Sequence, residues 1–338
     1  MFDVDTEEFL ASLKEGTRNI YRYALTVFLK FYPEYCQQQG VTDSYYSLKD
    51  FFDRIDSDNA LPRRDKKRVG RNTLKAFVVW LTPKYKSKTI VVYVGAVQSL
   101  GNYLDLELST KYVGLPTAEV CPENKKHEWS IEEVGAFVDS FESPMYRAIG
   151  AAYVQTGCDI STLGKFNYGD IKEEFELGIC PLCLDAKRWK TKVPFKTFLG
   201  AWALDYLKEY LKTRTNLKPE DALFPFTKQA IDDYFLHHAL QFAKLKKFKG
   251  RNPYSPHSLR GAFYTLCKDH KTDKDYVDFW MAKTIKPERL AYINKTTESW
   301  RHTYHLQAEP WVTPNKYLTP ELKQVVSFWE KIELVATT

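Results

Sequence analysis

No apolar run in this 338-residue chain approaches the ~20 residues that a membrane-crossing helix needs, so no membrane span is expected. The glycine-rich GxGxxG and P-loop patterns are missing as well, and nothing points to a nucleotide cofactor. Internal repeats and low-complexity segments are absent. The start, Met1-Phe2-Asp3-Val4-Asp5-Thr6-Glu7-Glu8, is acidic and has no basic segment leading into an apolar one, so no export signal is expected. Cysteines are few and scattered, at 36, 121, 158, 180, 183 and 267, which fits reduced thiols in a cytoplasmic protein better than a disulfide framework. Only Cys180-Pro181-Leu182-Cys183 has metal-like spacing. A structural zinc site usually takes four ligands from two such pairs, and with no second pair a turn between strands is the expectation and no metal is called for.

What is present is aromatic and basic. The apolar fraction is 44%, with 22 tyrosines and 21 phenylalanines, enough for the cores of about two domains. A net charge of +6 says little by itself, but its distribution says more. Arg63, Arg64, Lys66, Lys67, Arg68 and Arg71 crowd into nine residues with one acid, and Lys244, Lys246, Lys247, Lys249 and Arg251 crowd into eight with none. Runs of this kind neutralise backbone phosphates and release counterions, although a solvated loop or helix face has the same composition.

Residues 1–110 read as a helical domain. Ile20, Ala24, Val27, Phe28 and Phe31 form a helical stripe behind Thr17 as N-cap. Three further stripes follow: Leu48/Phe51/Phe52/Ile55, Leu74/Phe77/Val78/Leu81, and Ile90/Tyr93/Val94/Val97/Leu104. Four amphipathic helices make a bundle, with the first basic run between the second and third. Residues 111–128, with Gly114, Pro116 and Pro122, read as a linker. A second domain spans 129–312, opened by the capping box Ser130-Ile131-Glu132-Glu133. Helices fit 131–141, 144–155, 201–213 and 228–245, while Glu176–Leu184 and Val193–Leu199 look like two strands. Residues 313–338 form a tail in which Thr319-Pro320 starts an amphipathic helix that either closes its own domain or docks on a neighbouring subunit.

The chemistry-bearing motif is His257-Ser258-Leu259-Arg260, opening a helix behind Ser255-Pro256. Positions three apart share a helix face, so imidazole and guanidinium project together. Arginine offers a planar fork to a phosphate, and histidine shuttles protons near neutral pH. Tyr292 follows Arg260 by 32 residues, and a phenol brought to that phosphate could attack it.

Four boxes in this order resemble the tyrosine recombinases of the phage-integrase superfamily, especially divergent archaeal and mobile-element members. Gln155–Leu163 running on to Tyr168–Ile171 resembles the first box, and Trp189–Val193 the hairpin that carries a lysine. His257–Arg260 matches the HxxR box, and Asp275–Met281 through Ala291–Ile293 resembles the stretch that carries the nucleophile.

The resemblance covers nearly the whole chain. It implies a mainly α fold with a small β-sheet, a helical core-binding domain and an α+β catalytic domain. It also implies site-specific cleavage and rejoining of double-stranded DNA through a 3′-phosphotyrosyl intermediate, with four protomers on two duplexes and no cofactor. Off DNA a monomer or dimer is expected. By position, Tyr292 is the implied nucleophile, with Tyr304 as its rival. Arg260 is the phosphate clamp and His257 assists proton transfer. Lys190 is the implied acid for the leaving oxygen, rivalled by Lys187 and Lys192.

Two positions depart from the pattern. Ala282-Lys283 stands where the family has Gly-His, and Lys283 can still donate to phosphate. Asp159 stands where the first box has arginine, and a carboxylate there repels phosphate. Losing such a charge contact costs about 3–4 kcal/mol in the transition state. Either another base, such as Arg147 or Lys165, fills the role, or the chain is a catalytically impaired DNA-binding protein that keeps the fold.

Overall fold

The structure, a computed structural model, describes residues 2–41, 45–117, 127–188, 192–248, 252–293 and 295–337, with the backbone alone for 287, 292 and 332–337. It divides into two compact units, Met1–Glu123 and Asn124–Thr338.

The first unit contains α1 (Val4–Ser12), α2 (Glu15–Gln38), α3 (Leu48–Asn59), α4 (Val69–Leu81) and α5 (Ser87–Tyr103). Its core is aromatic: Phe28 lies 4.9 Å from Phe51 and 5.1 Å from Phe77, ring centre to ring centre. Four helices match the four stripes and α1 is additional. The start of α2 differs from the expectation that Thr17 caps it. The helix begins at Glu15, Thr17 lies inside it, and Ile20 is 53% exposed. The reason is α1, whose terminal carbonyls of Leu10, Ala11 and Leu13 accept hydrogen bonds from Arg18 and thereby hold the first turn of α2 against α1. The core continues past residue 110 with Val113, beyond the expected end of this domain.

The first basic run occupies the α3–α4 connection. Buried Asp58 accepts from the backbone N–H groups of Lys67 (2.5 Å) and Val69 (2.9 Å), which pins the loop's far end while Arg63, Arg64, Lys67 and Arg68 stay exposed.

The second unit contains α6 (Ile131–Asp139), α7 (Pro144–Thr156), α8 (Ile160–Leu163), α9 (Lys172–Glu176), the antiparallel hairpin β1 (Leu182–Lys187) and β2 (Pro194–Leu199), α10 (Ala201–Lys212), α11 (Lys228–Phe242), α12 (Pro256–Asp269), α13 (Lys274–Trp280), α14 (Pro287–Ile293), α15 (Thr297–Gln307) and α16 (Pro320–Thr337). Helix α7 is the axis of this unit, buried without interruption from Ala148 to Thr156. Small residues at Ala148, Gly150, Ala151 and Ala152 let its neighbours approach closely. Near its end, the buried Gln155 amide accepts from the N–H groups of Gly200 and Ala203 and donates to Thr313. Glu309 accepts from Ala201, so two side chains from distant segments cap α10. Thr313 is therefore part of the interior of this unit.

Two local expectations change. Ser130 does cap α6, accepting from Glu133 N–H at 3.1 Å, but the Glu133 carboxylate turns to His127 and Tyr254 instead of closing the box. The first strand begins at Leu182 and not Glu176, because Lys172–Glu176 makes a helical turn that ends at left-handed Gly178. At the C-terminus, Thr319 caps α16, whose Leu322 is fully buried and whose Trp329 donates to the Leu306 carbonyl, so the helix packs on its own unit.

Buried Arg301 on α15 donates to Glu174, Glu298 and the Pro181 carbonyl, tying three segments together. Burial alone would raise the Glu174 carboxyl, but hydrogen bonds from Arg301 and the Cys183 N–H outweigh it and hold it below the usual range. A lowered carboxylate stabilises the fold above its unfolded pKa, and that contribution disappears as pH falls through the folded value. Arg301→Met leaves Glu174 half-buried without its cation and is expected to cost about 3 kcal/mol at pH 7, read from urea midpoints. Glu174→Gln should be destabilised at pH 7, and its deficit relative to wild type should shrink as pH is taken below about 4.

Candidate active site

Ser255 caps α12 with Pro256 in the first turn, so His257 and Arg260 sit on the opening turns of that helix as the motif predicts. His257 is exposed, while Arg260 is buried at 8% exposure. The guanidinium of Arg260 donates to two backbone carbonyls, Gly157 through Nη1 and Met281 through Nη2, the latter at 2.7 Å. Both acceptors come from places where a helix is forced to stop. Gly157 ends α7 in the left-handed region, and a Cβ there would lie 2.6 Å from the Phe263 ring. Met281 follows α13, and the next residue, Ala282, also has positive φ. Burial pushes the Arg260 guanidinium below its ordinary pKa. Proximity to Cys158 and Asp159 opposes this, and Arg188 adds to it. It nevertheless stays protonated throughout the physiological range.

Asp159 is the N-cap of α8. Its Oδ1 accepts from Ser161 Oγ (2.9 Å), Thr162 N–H (3.0 Å) and Thr162 Oγ1 (3.0 Å), while Oδ2 takes Arg188 Nε at 2.8 Å. Burial would raise this carboxyl, but the bonds from Arg188, Ser161 and Thr162 hold it below the usual range. Arg188 follows β1 directly, and its N–H bonds to the Val193 carbonyl at 2.8 Å across the hairpin. Sequence reasoning missed Arg188. The clue was available, since an acid where the resemblance calls for a base invites a search for the base elsewhere, and Arg188 lies in the Lys187–Lys192 run.

Of the bases named as substitutes, Arg147 does not reach this point. Arg147 lies in the first turn of α7, over the Tyr206 ring (5.4 Å) and beside Glu209 (3.6 Å). Ten residues at 1.5 Å each put it about 15 Å along the helix from Gly157. Lys165 is exposed beyond α8.

Lys283 lies two residues after the carbonyl that holds Arg260. Its ammonium bonds Asp278 at 2.7 Å and sits 3.9 Å from the centre of the Tyr264 ring. Asp278 also takes Lys274. Tyr292 lies in the last turn of α14, next to buried Ile293, and Arg289 ties α14 to Asp275 of α13 at 2.6 Å. Its side chain lies outside the described residues, as do Lys190, Lys249 and Arg251 in full. Lys244, Lys246 and Lys247 are exposed just beyond α11. Lys187, the rival acid, is exposed at the end of β1. Among the described residues no group of three or more His, Cys, Asp or Glu is arranged to hold a metal ion. No helix among them is long and apolar enough to cross a membrane.

Tyr304, the rival nucleophile, is 0% exposed. Its hydroxyl donates to the Gln155 carbonyl at 2.6 Å, and its ring packs 5.3 Å from both Phe198 and Trp280. Burial pushes its pKa well above 10, so it holds its proton and serves the core. Tyr304→Phe is expected to cost about 1 kcal/mol in urea denaturation through the lost bond. It should leave any covalent DNA adduct undiminished; loss of the adduct in a folded variant would return Tyr304 to candidacy.

No protein-family model matches the chain, and no curated protein does. Solved structures do. The XerH site-specific recombinase, bound to palindromic difH substrate in a post-cleavage complex, aligns with a TM-score of 0.55 at 18% identity, over 93% of this chain and 80% of that one. XerH in its pre-cleavage complex with difH gives 0.54 at 18% identity, over 84% and 78%. The chain thus has the tyrosine-recombinase fold.

Proposed function

We propose that the chain is a site-specific DNA recombinase or integrase that cleaves and rejoins double-stranded DNA. The observation that carries this reading is Arg260, a buried guanidinium held, among the described residues, by two backbone carbonyls and set one helical turn from exposed His257. That combination, in a fold shared with a recombinase solved on its DNA, suits a phosphodiester. The Tyr292 oxygen attacks the phosphorus as its proton passes towards His257. The bond from phosphorus to the 5′-oxygen breaks, and that oxygen takes a proton from Lys190. The products are a 3′-phosphotyrosyl link and a free 5′-hydroxyl, and reversal with a new 5′-hydroxyl rejoins the strand. Arg260 stabilises the charge that builds on the non-bridging oxygens, and Lys283 stands by it. Strand exchange by four protomers on two duplexes completes the reaction.

Arg63, Arg64, Lys66, Lys67, Arg68 and Arg71, with Lys244, Lys246, Lys247, Lys249 and Arg251, supply phosphate contacts. A second reading, a DNA-binding protein with impaired chemistry, draws on the carboxylate at 159.

A nicked suicide substrate traps the covalent intermediate on a denaturing gel. Wild type is expected to form the adduct and Tyr292→Phe to form none; an adduct that survives Tyr292→Phe sinks the assignment, and binding without any adduct favours the second reading. Replacing Arg63, Arg64, Lys66 and Lys67 with glutamine should flatten the plot of log affinity against log salt by up to ~0.9 per lost phosphate contact. A slope equal to wild type would remove that loop from the DNA-binding surface.

A further inference from the structure

The site around Arg260 contains a second guanidinium that the motif does not name. Arg260 is anchored on the carbonyl of Gly157, and Arg188 on the carboxylate of Asp159. These anchors are two residues apart, a stretch that spans at most about 7 Å even when fully extended. A helix and a hairpin therefore deliver two permanent cations to one short segment. Gly157 and Met281 give Arg260 only partial negative charge, so Asp159 is the single full anion bonded to either guanidinium among the described residues. The Asp159 carboxylate is itself committed. Three donors occupy Oδ1 and Arg188 occupies Oδ2, which makes it the fixture that holds Arg188. The Nε bond uses one of the five N–H donors of a guanidinium. The Arg188 side chain is 22% exposed, whereas Arg260 is buried. An oxyanion bridging the two relieves the repulsion between them and meets a planar fork on each side.

We infer that Arg188 is a phosphate-binding residue of this site, gripping a non-bridging oxygen of the same DNA phosphodiester as Arg260, with Asp159 as its positioning residue. The identity of the anion rests on the recombinase reading above. The geometry separates this role from a purely structural ion pair. In a structural pair the two partners matter equally. In a phosphate site they do not, because Asp159→Asn keeps the guanidinium and a hydrogen-bond acceptor, whereas Arg188→Gln removes the cation.

The test uses the full chain and measures two quantities for wild type, Arg188→Gln, Arg188→Lys and Asp159→Asn, each first checked by thermal melting. The first is the salt dependence of binding to an intact duplex containing the cleavage site. The second is the rate of adduct formation on the nicked suicide substrate. Arg188→Gln is expected to lower the salt slope by about 0.9, to weaken binding, and to slow the adduct by 100-fold or more. Arg188→Lys should restore the slope but only part of the rate, and Asp159→Asn should slow the adduct by less than about 10-fold with the slope unchanged. Arg188→Gln and Asp159→Asn that are equally impaired, or an Arg188→Gln protein with wild-type slope and rate, overturn the inference while leaving the recombinase reading standing. Wild-type binding with no adduct defeats the recombinase reading alone, and the slope of Arg188→Gln then still decides the role of Arg188. A wild type that does not bind DNA ends both.

Discussion

A guanidinium buried, among the described residues, without a carboxylate partner is the constraint around which the second unit is arranged. Isolated charge is expensive to bury, and most buried cations are paired with acids. Arg260 is instead met by the Gly157 and Met281 carbonyls, the first of which lies at the C-terminal end of α7, where the aligned peptide dipoles leave partial negative charge. Partial charge tolerates the cation without cancelling it. Arg301 shows the alternative in the same molecule. It is equally buried, but Glu174 and Glu298 neutralise it, and it works as a fastener between segments. Burial alone does not set these two arginines apart; the charge on their partners does.

That arrangement requires the end of α7 to be placed accurately, and the packing supplies the means. Gln155, in the last turn of α7, caps α10 and reaches Thr313, and Glu309 caps the same helix as well. A Cβ on Gly200 would lie 2.3 Å from Glu309 Oε1, so these polar groups meet only because position 200 has no side chain. Tyr304 adds its hydroxyl to the Gln155 carbonyl. Polar atoms from α10, α15 and the segment before α16 thus converge within the last turn of α7. The same residues that fix the core fix the carbonyl that receives Arg260.

Much of this was legible in the sequence because it depends on local rules. Helical stripes located α3, α4, α5, α7 and α11 within a few residues, and Ser255-Pro256 marked where α12 begins and hence which face carries His257 and Arg260. What was not legible depends on contacts between distant segments. Thr17 looked like a cap because nothing local announced that Arg18 would bind the end of α1. Glu176 looked like strand because the short turn of α9 is too brief for periodicity to register. Tyr304 stood among polar neighbours in sequence, yet its own face of α15 points at Phe198 and Trp280. Arg188 escaped for the same reason: twenty-nine residues separate it from Asp159, and only folding of the hairpin unites them.

Asp159 then reads differently from the way it does in a linear comparison. An acid suits the N-terminus of α8, where N–H groups point outward and Ser161 and Thr162 supply donors, and an arginine at the same place would face that positive end of the helix. Placing the acid on the helix and the base on the hairpin satisfies both elements. It also moves the positive charge from a rigid helix start to a connection whose geometry is set by the Arg188–Val193 backbone bond. If Arg188 grips the phosphate as proposed, its recognition is coupled to the conformation of the hairpin, between whose strands Lys190 lies in sequence. On the proposed mechanism, clamping the phosphate and protonating its leaving group are contributed by one short segment, so displacement of that segment removes both at once.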